Sequence, residues 1–423
     1  MESQETIKNH GWTVTFCAMG VNLALGVLYS WSVISKGIPK EWNWGETEKS
    51  LPYAVACLVF SIVMVPAGRL QDKLGPRLTA SIGGLLVGAG LVLASLTTTV
   101  MGYIVGFGLF AGAGFGFGYA AATPPAVKWF PPQKTGLISG IVVSGFGLAS
   151  VYVAPLTNYL IKTYGLPKTD FILGILFLII VVTLSQFLKA PQKVLQFTNE
   201  LGPASNLSTP AVKNIEGTPR DLFKSPVFYI LWFMYACGAG AGLMVIAKLA
   251  IIVKTQANIS LGFILVAILA IGNGGGRIIA GTLSDKIGRQ RTMLICFISQ
   301  AILVFLLSRA VTGSPLANII ILSVISALIG ANYGANLALF PAITKDYWGL
   351  KNFGINYGLV FTAWGVGGFM LSFIVGKLYD KYQSFTIGYY TASALLIIAA
   401  ILTFTVKAPK AKKIAAQPAE AKS

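Results

Sequence analysis

Arg277 is the residue of this chain with the clearest chemical potential. It lies inside NGGGRIIAG, in a stretch that opens as the apolar run ISLGFILVAILAIG at Ile259 and closes in the polar turn SDKIGRQR at Arg291. If Asp285 marks a membrane surface, a helical rise of about 1.5 Å per residue sets Arg277 roughly 12 Å deeper. A hydrocarbon core is about 30 Å thick, so the guanidinium falls near its middle. A cation there is costly unless it faces a polar cavity or a partner. No carboxylate shares the apolar segment, so the missing anion is expected to be a substrate. The competing reading is a helix-end arginine that snorkels to headgroups. Gly274, Gly275 and Gly276 stand directly before Arg277 and favour an interior face, where another helix or a ligand comes close.

Other chemistries find little support. Cys17, Cys57, Cys237 and Cys296 sit in separate apolar runs. They lack the spacing of a disulfide framework or metal site and read as small buried hydrophobes. His10, the one histidine, precedes the first apolar run. No nucleophile–base pair and no metal cluster appears, so no catalytic residue, metal ligand or cofactor is assigned and an enzyme is not expected. Gly112, Gly114, Gly116 and Gly118 would satisfy a loose glycine-motif search, but no Rossmann strand context surrounds them.

The elements that must position Arg277 are membrane helices. The chain has 423 residues, 55% of them hydrophobic and 11% charged, against roughly 25% charged in a soluble domain. Apolar segments of about 20 residues, each long enough to span a bilayer, fall at about 12–35, 52–68, 78–96, 103–124, 136–160 and 171–188. A second set falls at about 227–253, 259–281, 293–309, 317–341, 353–376 and 387–406. The reading is an all-α polytopic membrane protein of twelve spans in two six-helix bundles, 12–188 and 227–406. Residues 1–11 form a short polar N-terminus without a cleavage pattern, so the first span is expected to be retained. Residues 189–226, rich in Asn, Ser, Thr and Pro, read as a flexible linker, and 407–423 as a basic disordered tail.

The two sets repeat. Gly68-Arg-Leu-Gln-Asp72-Lys73-Leu-Gly75 matches Gly281-Thr-Leu-Ser-Asp285-Lys286-Ile-Gly288, each just after the second span of its half. The turn glycines permit a tight reversal and the aspartates can accept from a neighbouring helix end. These eight positions, Gly68, Asp72, Lys73, Gly75, Gly281, Asp285, Lys286 and Gly288, are expected to latch one conformation. The alternative is a generic basic loop. The formal charge of +18 is concentrated between apolar segments, at Arg69, Lys73, Arg77, Lys128, Lys286, Arg289, Arg291 and Lys345 among others. That pattern sets topology and places the linker and both termini in the cytoplasm. No basic stripe with exposed aromatics calls for nucleic acid. Gly136 and Gly140, continued by Ser144 and Gly147, suit close helix crossings, and Pro124-Pro125 can kink or end the fourth span.

Several of these runs carry a family resemblance. They include the duplicated loop, Tyr29-Ser30-Trp31-Ser32, and Gly116 to Tyr119 continuing through Lys128-Trp129-Phe130-Pro131. Leu339-Phe340-Pro341-Ala342-Ile343-Thr344 through Asn352-Phe353-Gly354, and Asn356-Tyr357-Gly358 through Phe361 to Trp364-Gly365, join them. The chain resembles the major facilitator superfamily, and within it the oxalate/formate antiporter family close to the monocarboxylate transporters. The resemblance implies the major facilitator fold and a carboxylate-binding arginine in helix eight, which Arg277 matches. The oxalate carriers add an essential lysine in helix eleven, where Val360 stands here. Animal monocarboxylate transporters have an aspartate four residues before their arginine, where this chain has Asn273. Asn273 shares a helix face with Arg277 and can donate to a carboxylate or hydroxyl, but cannot carry a proton.

One cation suits a monocarboxylate, because a second unneutralised carboxylate in low dielectric is costly. The expectation is therefore a secondary transporter of lactate- or pyruvate-like monocarboxylates, proton-coupled, working as a monomer in a prokaryotic inner membrane. The alternatives are an organic anion antiporter of the oxalate/formate type and a non-transporting carboxylate sensor. Arg277 would bind the carboxylate, Asn273 would read a 2-hydroxyl or 2-keto oxygen, and Tyr119 would supply a phenol. Tyr29, Tyr333, Tyr357, Phe361 and Trp364 are candidates for the cavity wall, with ordinary helix packing as the other reading of each. Lys248 is expected to snorkel toward the outer face. No Asp, Glu or His is expected well inside a span, so no carboxylate proton relay is assigned.

Overall fold

The computed structural model describes residues 10–130, 135–189, 217–258, 261–349 and 352–407. Most of the expected linker (190–216), the tail from 408, residues 1–9 and the packing expected of Gly136 lie outside the described part. Twelve helices are long and apolar enough to cross a membrane: α1 Gly11–Lys36, α2 Glu46–Leu74, α3 Pro76–Ser95, α4 Val100–Val127, α5 Leu137–Tyr164, α6 Leu166–Ser185, α7 Pro226–Ala257, α8 Gly262–Ile287, α9 Arg289–Ser308, α10 Ile319–Trp348, α11 Phe353–Tyr382 and α12 Thr386–Thr405. A helix satisfies its own backbone hydrogen bonds, which hydrocarbon demands of a spanning segment. Large apolar side chains such as Ile62, Leu85, Ile179, Ile279, Ile302 and Ile398 point outward and are exposed, as a lipid-facing belt requires.

Several helices outrun their apolar segments. The apolar run predicted at 52–68 belongs to a helix that starts at Glu46 and ends at Leu74, and the run at 317–341 to one ending at Trp348. Hydropathy marks the part of a helix in hydrocarbon, whereas capping marks where the helix ends. Gly75 and Gly288, the last glycines of the duplicated loops, both have positive φ (87° and 92°) and close the two second spans in the same way. An L-residue with a Cβ resists that conformation, so both turns call for glycine.

Two helices are irregular where it matters. α1 tightens to a 3₁₀ turn over Gly26–Ser30, which carries Tyr29. A Cβ at Gly26 would collide with Ala149 and the Phe146 carbonyl of α5, so the glycine sets that close crossing. α4 passes into a π-helical stretch, Ile104–Ala111, after its first turn. Such departures from α geometry inside a span mark hinges or functional sites.

The first six and last six helices meet chiefly through α2 along α11 and α5 against α8. Within the second set, α8 and α10 make the closest approach. Gly272 and Gly276 of α8 face the carbonyls of Ala327 and Ala331, and Gly330 and Gly334 of α10 face those of Leu269 and Asn273. The notched pair locks the rotation of α8, and so the direction in which Arg277 points. Gly276→Val would drive a side chain into the α10 backbone. It should destabilise the fold by about 3 kcal/mol, read as a lowered melting point and a loss of monodisperse protein in detergent. Gly281→Ala, where a Cβ meets nothing within 4 Å, should melt like the wild type.

Candidate functional site

Arg277 lies fifteen residues along α8 from Gly262, roughly 22 Å by helical rise, and its side chain is turned inward at 1% exposure. That excludes the snorkelling reading. Its Nε donates to Asn273 Oδ1 at 3.1 Å, one turn earlier. Its Nη1 donates to the carbonyl of Val143 on α5, across to the other half of the molecule. Nη2 is buried without a partner, and so is Nδ2 of Asn273. None of the ion pairs among the described residues involves Arg277. A full cation is thus held by neutral acceptors, with two donors left over on residues one helical turn apart. Isolated charge in low dielectric is strongly unfavourable, and the chemistry that resolves it is an anion with two oxygens.

The predicted aromatics gather around this centre. Arg277, Asn273, Tyr29, Tyr119, Tyr333, Tyr357, Phe361 and Trp364 are all buried, none more than 7% exposed. The Tyr119 phenol lies beside the guanidinium. The Tyr119 ring stacks on Phe361 at 5.8 Å, and Phe361 stacks on Trp364 at 5.0 Å. Tyr357 packs against Phe361 edge-to-face at 5.7 Å. Tyr29 and Tyr333, one from each half, share a hydrogen bond of 2.5 Å. Trp364 Nε1 donates to the Tyr333 hydroxyl at 2.8 Å. The Tyr333 oxygen therefore joins α1, α10 and α11. A small cavity on the side of Arg277 away from the termini is lined by Tyr29, Gly147, Ser150, Ile246, Leu249 and Asn273 among others.

Several residues of the site escaped the sequence reading. The Val143 carbonyl carries no side-chain signal. Gly147 was read only as a packing residue, yet a Cβ there would sit 3.2 Å from both Arg277 Nε and Asn273 Cγ. Phe60 and Phe146 complete the aromatic wall, Phe60 at 5.0 Å from Trp364 and Phe146 at 4.9 Å from Tyr29. Tyr235 stacks flat on Phe340 at 4.1 Å. Single aromatics in apolar helices are too common to be picked out without the fold.

One expectation is corrected. Lys248 does not snorkel outward: it is 1% exposed and its Nζ lies 2.9 Å from Glu46 Oε2 at the start of α2. A lysine can bury its head where a carboxylate from another helix meets it, and that meeting is a tertiary event. A carboxylate does stand at the edge of one span. Asp170, in the first turns of α6, is 1% exposed and accepts from Tyr103 Oη at 2.7 Å. It lies at the membrane edge of its segment in sequence, and Tyr103 draws it inward.

The duplicated loops differ in partner. Asp72 belongs to α2, and its carboxylate lies 3.5 Å from where a Cβ on Gly354 would stand, in the first turn of α11 of the other half. Gly68 also faces the Gly354 carbonyl. Asp285 instead accepts from Arg289 at 2.6 Å, and Arg289 Nε reaches Asp346 at 3.0 Å, all within the second half. Lys73 and Lys286 are exposed.

The chain matches the family model of the Major Facilitator Superfamily over residues 11–308 and 247–423. It is 26% identical to the transporter YhjX of Escherichia coli (strain K12), over 84% of this chain and 85% of that protein. It is likewise 26% identical to the oxalate:formate antiporter of Oxalobacter formigenes, over 86% of this chain and 83% of that one. A shorter similarity, 26% over 39% of this chain and 37% of the relative, links it to monocarboxylate transporter 11 of Mus musculus.

The three-way bond at Tyr333 makes a graded prediction. Tyr333→Phe strands both the Tyr29 hydroxyl and the Trp364 N–H, and should cost about 2 kcal/mol. Tyr29→Phe leaves the Trp364–Tyr333 bond intact and should cost about 1 kcal/mol or less. Thermal unfolding of the purified variants in one detergent checks the order.

Proposed function

The chain belongs to the major facilitator superfamily of membrane transporters, and from that premise we propose that it carries small monocarboxylates of the lactate and pyruvate class. The two helical bundles, 12–188 and 227–406, rock about a central site. The observation that carries this reading is the pair of buried, unpartnered donors, Arg277 Nη2 and Asn273 Nδ2. A carboxylate meeting them gains a charge-assisted bond from the guanidinium. Its 2-hydroxyl or 2-keto oxygen falls to Asn273 or Tyr119. No second cation touches Arg277 or the aromatic wall among the described residues, since Lys248 is taken by Glu46. A dicarboxylate would therefore leave one charge unmet. The basic loops on the face that carries the termini support placing that face in the cytoplasm of a prokaryotic inner membrane.

Coupling is proposed as proton symport. Arginine is a poor proton carrier because its pKa exceeds about 12. Asn273 carries no titratable proton, and Asp170 is held by Tyr103 away from Arg277. The proton is thus taken to travel with the substrate or with water. The oxalate:formate relative keeps anion exchange as the competing mode.

Uptake of labelled L-lactate into proteoliposomes tests both. With the outside acidic and the vesicles empty, wild-type protein should accumulate lactate. Arg277→Ala should lower the initial rate on the order of a hundredfold, the loss expected for a charged hydrogen bond. Arg277→Lys should rescue little, because a point charge does not replace the planar fork. Uptake only into vesicles preloaded with formate or oxalate would replace symport by exchange. Equal uptake by wild type and Arg277→Ala would remove the carboxylate site.

A further inference from the structure

The face opposite the termini carries a second polar centre that the transport site does not use. Lys248 sits nine residues from the end of α7, roughly 13 Å below it by helical rise, and its side chain is 2% exposed. Its Nζ contacts Glu46 Oε2 at 2.9 Å and the Glu46 carbonyl at 3.3 Å. Glu46 opens α2 in the first half, and Lys248 belongs to the second. A second link crosses the same seam. Asp380, near the end of α11, accepts from the backbone N–H of Glu46 at 3.1 Å and of Thr47 at 2.9 Å, and from the Thr47 hydroxyl. Those N–H groups are among the orphan donors of a helix start, which favours an anion there. Within α2, Glu48 closes back on the Gly45 N–H at 2.8 Å, and Lys49 holds the other Glu46 oxygen at 3.1 Å.

We propose that Glu46, Lys248 and Asp380 form a latch that holds the two halves together on this face and must open when the site is exposed there. The inference rests on the alternating-access reading above. A bond between residues of one bundle survives a rocking motion, whereas the Lys248–Glu46 pair and the bonds of Asp380 to Glu46 and Thr47 join one bundle to the other. Lys248 lies on α7 between Ile246 and Leu249, two residues that line the cavity shared with Ser150 and Asn273. The two bonded partners are unequal. Removing Glu46 leaves a buried ammonium without its contacting carboxylate. Removing Lys248 leaves Glu46 with Lys49. Breaking a buried pair is costly mainly through the charge it strands. Loss of Glu46 therefore weakens the closed state more.

The test reads accessibility and needs no substrate. Cys17, Cys57, Cys237 and Cys296 are replaced by alanine, and one reporter is added, Ser150→Cys in the cavity wall or Ala120→Cys on the termini side of the site. Labelling by a water-soluble maleimide is timed in detergent. Glu46→Gln should speed labelling at the Ser150→Cys reporter by at least roughly tenfold, with no gain at Ala120→Cys. Lys248→Met and Asp380→Asn should give smaller gains. The exchanged pair, Glu46→Lys with Lys248→Glu, should return the rate toward wild type. An unchanged rate in Glu46→Gln overturns the latch, as does an equal gain at both reporters, which is general loosening. A swapped pair that labels as fast as Glu46→Gln overturns it too, because packing rather than charge would then be the cause. A failed lactate assay leaves this readout standing, and a null here leaves the carboxylate site untouched.

Discussion

The structure depends on one charge that hydrocarbon does not tolerate alone. Arg277 is turned inward near the middle of α8 with no ion pair among the described residues, and the surrounding architecture holds it there. The glycine notches between α8 and α10 fix its direction. Gly147 clears the space beside its Nε. Asn273 and the Val143 carbonyl take two of its donors, and an aromatic wall stands around them. Neutral acceptors offset part of the desolvation cost but none of the net charge. The chain thus keeps an unmet demand for an anion at the seam between its halves.

The seam is closed by unlike materials at different depths. At the centre it is aromatic, with Tyr29 of one half bonded to Tyr333 of the other. Toward the termini it is the Asp72 carboxylate against the first turn of α11. At the opposite face it is Glu46, Lys248 and Asp380. The first and last of these are short polar links between side chains or backbone of the two halves, set beside aromatic packing of Phe60 and Tyr119 against Phe361. Short links are suited to a device with two packings, because they break over a small displacement while the packed interior of each bundle stays intact.

Family membership and site chemistry carry different parts of the functional reading. The superfamily match makes this a membrane transporter and not an enzyme. The relatives by name include both an oxalate:formate antiporter and a monocarboxylate transporter, so kinship alone does not select a substrate. The choice of a monocarboxylate rests on the buried Arg277, which has no ion pair among the described residues, and on the valine at position 360, which is fully buried.

The sequence by itself determined the spans, the repeat and the special standing of Arg277. These follow from local physics: hydrocarbon thickness sets segment length, and a lone cation in such a segment stands out. It also named the aromatics that surround the site, though not their bonds. Tertiary structure alone decided where the charges went. Lys248 could be read as snorkelling because its partner is 202 residues away, and the bond from Tyr103 to Asp170 joins residues of two different helices. The Val143 carbonyl is invisible in a sequence, since every residue has one. Periodicity and hydropathy report the environment of a segment, whereas the pairing of two polar groups depends on which helices touch, and only the fold supplies that.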